Sequence, residues 1–198
     1  MPIVGNDSAG AAGDGGERAQ VHQLLQLLHR TPFRGLGYVA QAIDGATIMT
    51  AQRQGHRRIA HDIADQLRCK YPGESPTSDR RIDFPGHLNV FVPHVVAIRE
   101  GKAPAPDGRW RCTDIDVVVE VTCGSTSHYN FGPKLTAYAT AQVPLYFIAD
   151  PTTAKCHLFS HPKDGDYLSR LTVAFGLEVD LTAAAPDLIL KTDRFPRD

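Results

Sequence analysis

The sequence predicts a single α/β (α+β) domain: a mixed β-sheet flanked by helices, with a helix and a hairpin at the N-terminal end. Three observations predict it. A valine-rich run, Ile115 to Val121, is followed by a helical stretch carrying Lys134, then by a second apolar run, Pro144 to Ala149, closing on Asp150-Pro151. Asp44-Gly45 separates two apolar runs, and the segment HPKDGD separates two more, each the signature of a hairpin. Ile59, Ile63 and Leu67, with Ala60 and Ala64, repeat at the spacing of one helix face between Gln54 and Lys70.

Taken in order, residues 1 to 18 are rich in Gly, Ala, Ser and Asp and read as a disordered tail, leaving 19–198 as the domain. Val21, Leu24, Leu25, Leu27 and Leu28 mark a short amphipathic helix that Thr31-Pro32 should end, because proline disfavours a helical residue before it. Gly37 to Ile43 and Ala46 to Thr50 form the first hairpin, and Pro72-Gly73 stops the helix that follows it. Arg80 to Phe84 and Asn89 to Arg99 are strands, the second holding Pro93-His94, where a proline implies an edge, a bulge or a strand start. Gly101 to Gly108 is a loop. After Asp150, Lys155 to Ser160 and Tyr167 to Phe175 pair as the second hairpin, with short segments at Leu177 to Leu181 and Pro186 to Lys191.

Composition narrows the function classes. A chain of 198 residues, 42% hydrophobic and 22% charged, is long and apolar enough to bury one substantial core. No apolar run approaches the roughly 20 residues that span a bilayer. The opening MPIVGNDSAGAAGDGG lacks the basic-then-apolar layout of a signal peptide, so a cytoplasmic protein without membrane partners is expected. Cys69, Cys112, Cys123 and Cys156 form no CxxC pair, which removes zinc-ribbon spacing and leaves them as buried or inert thiols. A formal net charge of −1 supplies no global attraction for nucleic acid. Local clusters at Arg53-Arg57-Arg58, Arg80-Arg81 and Arg109-Arg111 could contact phosphates but read first as a solvated face.

The candidate chemistry lies in the central strand. Positions 116, 118 and 120 should share a face, because side chains alternate along a strand, so Asp116 and Glu120 should flank Val118. A strand this rich in valine reads as buried on both faces. A carboxylate there needs a cation, a donor or a wet cleft, since burying it alone is costly. His94 reads as a core or site histidine, His56 as a surface one at a helix start, and His128 as a loop residue near the cleft. Cys123 reads as a buried thiol, and Tyr138, Tyr146 and Phe147 as core.

On IDVVVEV, Lys134-Leu135-Thr136-Ala137-Tyr138, VPLYFIADP and the AIDGATIM hairpin followed by His56, the chain resembles the Uma-two family of the PD-(D/E)xK nuclease superfamily. The resemblance runs from Val39 to Leu190 and implies a restriction-endonuclease-like fold, a metal-dependent phosphodiesterase activity and a homodimer. In that mechanism carboxylates hold Mg²⁺ or Mn²⁺, the metal activates water, and a lysine stabilises the transition state. Glu120 and Lys134 match the family's glutamate and helix lysine, and Thr122 stands where an ExK strand would carry its lysine. Three expected acids are replaced: His94 stands for the principal metal aspartate, Gln41 for the glutamate before the hairpin turn, and Asn130 for the aspartate before the helix lysine.

The resemblance therefore implies catalytic Glu120, Lys134 and His94, a cleft lined by Gln41, Asp116, Asn130 and His128, and a remodelled metal site at Glu120 and His94. Imidazole beside carboxylate suits Zn²⁺ or Fe²⁺ better than Mg²⁺, or the metal is absent. The expected function is an endonuclease-like protein acting on nucleic acid. The alternatives are a non-catalytic binding or regulatory module, and an enzyme reusing the cleft for different metal chemistry on a small molecule.

Overall fold

The structure is a computed structural model that describes residues 10–30, 37–71, 80–124, 126–184 and 187–197. Helix α1, Gly10–Arg30, leads into strands β1, Tyr38–Ile43, and β2, Ala46–Ala51, and then helix α2, Gln54–Leu67. Short strands β3, Ile82–Asp83, and β4, Val90–Phe91, precede β5, Val95–Ile98, and β6, Trp110–Arg111. The central strand β7, Ile115–Val121, is followed by helices α3, Ser127–Phe131, and α4, Pro133–Thr140, and by β8, Leu145–Asp150. Strands β9, Lys155–Lys163, and β10, Asp166–Ala174, form a long hairpin, and β11, Val179–Asp180, pairs with β12, Ile189–Leu190.

These strands form two five-stranded sheets. The first has the order β2-β1-β4-β3-β6 and the second β10-β9-β8-β7-β5, both mixed. β7 lies inside the second sheet, antiparallel to β5 and parallel to β8, and the parallel pair is bridged by α3 and α4 as a strand–helix–strand unit requires. Alternation along β7 and β8 sends Val117, Val119, Leu145 and Phe147 to one face, where Ile59, Ile63 and Leu67 of α2 cover them. Val118, Tyr146 and Ile148 face the other way, against Leu135 and Tyr138 of α4 and Phe91 and Trp110 of the first sheet. Each fully buried side chain of this size contributes roughly 1.5–3 kcal/mol by leaving water, so β7 and β8 are firmly held on both faces.

Both hairpin turns have the residues their geometry needs. Asp44 and Gly45, and Asp164 and Gly165, all have positive φ, between 49° and 79°, which matches the twist of two-residue hairpins. The second hairpin is longer than its sequence suggests, since His161, Pro162 and Lys163 continue β9.

Several expectations are corrected. α1 begins at Gly10, inside the stretch read as a tail, and only Leu25 of its leucines is fully packed, against Ala42 and Val90. Leu24 and Leu27 are exposed. Residues 1–9, Thr31-Pro32 and Pro72-Gly73 lie outside the described residues. α2 ends at Leu67 rather than Lys70. Asn89 to Arg99 is not one strand: Pro93 cannot donate to a ladder, and the chain breaks there, β4 joining the first sheet and β5 the second. That break sets His94 where the chain passes between sheets. Among the described residues no helix is long and apolar enough to cross a membrane.

Candidate active site

Glu120, near the end of β7, has no exposed surface, and three side chains converge on it. Lys134 Nζ donates to Oε1 at 2.6 Å, and Tyr138 Oη donates to the same oxygen at 2.8 Å. His94 Nδ1 lies 2.6 Å from Oε2. Each partner is placed by local structure. Lys134 and Tyr138 are four residues apart on α4, which puts them on one helix face. Pro133 sets the first turn of that helix, and the chain bends sharply into it at Gly132, where a Cβ would stand 2.9 Å from the His128 carbonyl oxygen. Val95 pairs with Val119, which carries the preceding residue, His94, to the level of Glu120.

The ion pair is enclosed in aromatic rings. Lys134 Nζ sits 5.4 Å from the Phe91 ring centre, and Tyr138 packs edge-on against Phe84 and Phe91. Burial by itself would raise the Glu120 pKa, but the Lys134 charge and the His94 contact outweigh it and hold the carboxyl at about 2. Burial, with the Glu120 charge behind it, pushes the Tyr138 hydroxyl well above its usual range, so it stays a donor. Glu120 is thus a carboxylate at any ordinary pH, with both oxygens already bonded.

A cavity of about 20 Å³ adjoins the cluster, room for about one water. Gln41, His56, His94, Glu120, Asn130 and Lys134 line it, with Cys123 beside them. Gln41 is 6% exposed, and its Oε1 is buried with no hydrogen-bond partner among the described residues. The structure therefore brings together Glu120, Lys134, His94, Gln41 and Asn130.

It does not bring Asp116 or His128 to the same place. Ala97 pairs with Val117 and Ile98 with Ile115, so Asp116 is an extra residue in the ladder, a bulge that breaks the side-chain alternation. Its carboxylate bonds Arg99 Nε at 3.0 Å instead of sharing the Glu120 face. His128 is exposed on α3, its ring centre 4.0 Å from that of Tyr129.

Sequence reasoning missed two members. Tyr138, read as plain core, is the second donor to Glu120; its four-residue spacing from Lys134 was the available signal. His56, read as a surface residue, is 2% exposed and lines the cavity. It precedes Ile59 by three residues and Ile63 by seven, which places it on the apolar stripe of α2.

The donor set decides whether a divalent metal of the nuclease kind fits. Mg²⁺ asks for hard oxygen ligands in octahedral array. Here one carboxylate is present, and both of its oxygens receive hydrogen bonds or an ion pair from the protein. Among the described residues no group of three or more His, Cys, Asp or Glu is placed to hold one ion. As placed, the residues do not fit a Mg²⁺ site.

Comparison with known proteins agrees with this fold. The crystal structure of a "putative nuclease belonging to DUF820" from Anabaena variabilis ATCC 29413 superposes with a TM-score of 0.62 at 13% identity, over 79% of this chain and 89% of that one. At that identity the likeness shows the shared fold. No curated protein matches the sequence. The family model Uma2, described as "Putative restriction endonuclease", matches residues 21–193, and on that match the chain belongs to the Uma2 family.

Proposed function

We propose that this protein is a nuclease-family member that binds nucleic acid without running Mg²⁺-driven phosphodiester cleavage, its metal site replaced by an internal ion-pair network. The observation that carries the reading is the engagement of both Glu120 oxygens: Lys134 and Tyr138 on one and His94 on the other. In metal-assisted hydrolysis the carboxylates ligate the ion that activates water and neutralises developing charge. Here the Lys134 ammonium supplies the positive charge beside Glu120 at 2.6 Å. An ammonium so held balances the carboxylate, but it lowers no water's pKa as a divalent ion would.

A second reading is favoured by one observation, the buried Gln41 Oε1 beside the small cavity, which has no hydrogen-bond partner among the described residues. In that reading Gln41, His94 and Glu120 form a mixed nitrogen and oxygen set for a softer ion such as Zn²⁺ or Fe²⁺, acting on a small molecule. Plasmid nicking in Mg²⁺ and in Mn²⁺, with bound metal quantified on the same samples, separates the two. Wild-type protein that neither nicks nor carries metal, yet retards nucleic acid, supports the first reading. Nicking that disappears in Glu120→Ala contradicts it. A stoichiometric transition metal lost in His94→Ala selects the second.

A further inference from the structure

Two arginine clusters distant in sequence converge at one edge of the first sheet. β3 and β6 pair in parallel, with Ile82 opposite Trp110 and Asp83 opposite Arg111, so Arg80-Arg81 and Arg109-Arg111 become neighbours at the outer end of that sheet. α1 adds Arg18 and His22, and between them lies an open groove of about 640 Å³ lined by Arg18, His22, Arg81, Asp107 and Arg109.

The groove holds more cation than its acids neutralise. Asp83 accepts from Arg18 at 3.3 Å, from Arg109 at 3.1 Å and from the His22 ring at 2.8 Å. Asp107 takes the other edge of Arg109 at 2.7 Å. Both acids are therefore spoken for by two arginines. Arg80 lies over the Trp110 ring at 4.9 Å. Arg81 and Arg111 have no ion-pair partner among the described residues. Arg81 is half-buried, and burial pushes its guanidinium below its usual value, as happens when water is removed and no anion replaces it. Guanidinium groups at an open surface, steadied by neighbouring carboxylates, suit the paired oxygens of a phosphate.

We infer that this arginine-lined groove between α1, β3 and β6 is a contact surface for the phosphodiester backbone of nucleic acid, separate from the Glu120 pocket. The inference rests on the proposal that the protein binds nucleic acid. Arg18 and Arg109, fixed by Asp83, frame the groove. Arg81 on the groove wall and Arg111, exposed on β6 opposite Asp83 and outside the groove's lining, are the cations left to meet phosphate, and each contact made releases counterions and steepens the salt dependence.

The test is fluorescence anisotropy of a short labelled duplex titrated with full-length protein between about 50 and 200 mM salt. The variants are the double Arg81→Gln/Arg111→Gln and, as a control elsewhere, Arg57→Gln/Arg58→Gln on α2. Neither pair is in the Glu120 cluster, and circular dichroism confirms the fold of each. The groove variant should bind more weakly and lose about 2 from the slope of log affinity against log salt, about 0.9 per contact. The α2 variant should keep the wild-type slope. Duplex binding with an unchanged slope in the groove variant overturns the groove and leaves nucleic-acid binding standing. No duplex binding by wild type at the lowest salt removes both. Full displacement of duplex by inorganic phosphate at matched ionic strength, or tighter binding to anionic lipid vesicles than to duplex, also overturns the backbone assignment.

Discussion

The Glu120 pocket and the arginine groove are built from the same kinds of side chain and arrive at opposite ends. In the pocket the two opposite charges are buried and matched, the Glu120 carboxylate and the Lys134 ammonium both at 2% exposure or less, with the Tyr138 hydroxyl and the partly buried His94 ring completing the contacts. In the groove, cations outnumber acids, and the guanidinium groups of Arg81 on its wall and Arg111 outside its lining have no ion-pair partner among the described residues. A buried charge cannot be left open, because desolvation costs several kcal/mol per ion, whereas a surface charge can wait for a ligand at little cost. The pocket is therefore far less able to exchange partners than the groove.

Breaking the pocket should produce the largest effects. Lys134→Ala removes the cation on Glu120 Oε1 and leaves a buried carboxylate poorly compensated, with an expected loss of about 3–5 kcal/mol in urea unfolding. The double variant Lys134→Met/Glu120→Gln removes both charges and should recover much of that loss. If the single and double variants are equally damaged, the ion pair is not what holds the site.

Acid should act on the same pair. The Glu120 pKa is depressed, from 4.5 to about 2 in the folded protein, so its stabilising contribution is fully present above about 4.5 and is lost as pH falls toward 2. Wild type should lose on the order of 3 kcal/mol across that window, and Glu120→Gln should lose correspondingly less. Parallel melting curves for the two proteins from pH 5 to pH 2 would contradict the assignment.

Smaller effects sharpen the contrast. Tyr138→Phe keeps the ring packing and deletes one hydrogen bond to a charged acceptor, an expected cost of about 1.5–3 kcal/mol by chemical denaturation. Arg81→Gln/Arg111→Gln should change stability by less than about 0.5 kcal/mol, since neither guanidinium has an ion-pair partner among the described residues. A cost comparable to that of Tyr138→Phe would mean the groove arginines are structural.

The backbone of this account was legible in the residues. The valine run of β7, the Asp-Gly turns and the stripe on α2 follow directly from periodicity and turn chemistry, and β7 and α2 lie at or near their expected bounds. The requirement that Glu120 have a cation followed from the cost of burial, and Lys134 meets it. What could not be read was set by tertiary register. Nothing in IDVVVEV says that Asp116 is an extra residue in the ladder, because the bulge depends on how β5 pairs across it. Pro93 announced a break, but not that the break would divide the chain between two sheets and deliver His94 to Glu120. The arginine groove was equally hidden, since its two clusters meet only through the pairing of two-residue strands β3 and β6.

Replacement of the metal site by an internal network is tested most directly by Mn²⁺ binding, followed by the loss of the free-ion electron paramagnetic resonance signal. Wild-type protein is expected to leave the free Mn²⁺ signal unchanged, because both Glu120 oxygens are engaged by protein groups and, among the described residues, no second carboxylate lines the cavity, while His94→Asp supplies a second carboxylate and should remove signal as protein is added. Loss of one equivalent of signal with wild type, abolished in Glu120→Ala, would contradict the replacement and return the protein to the metal-dependent nucleases.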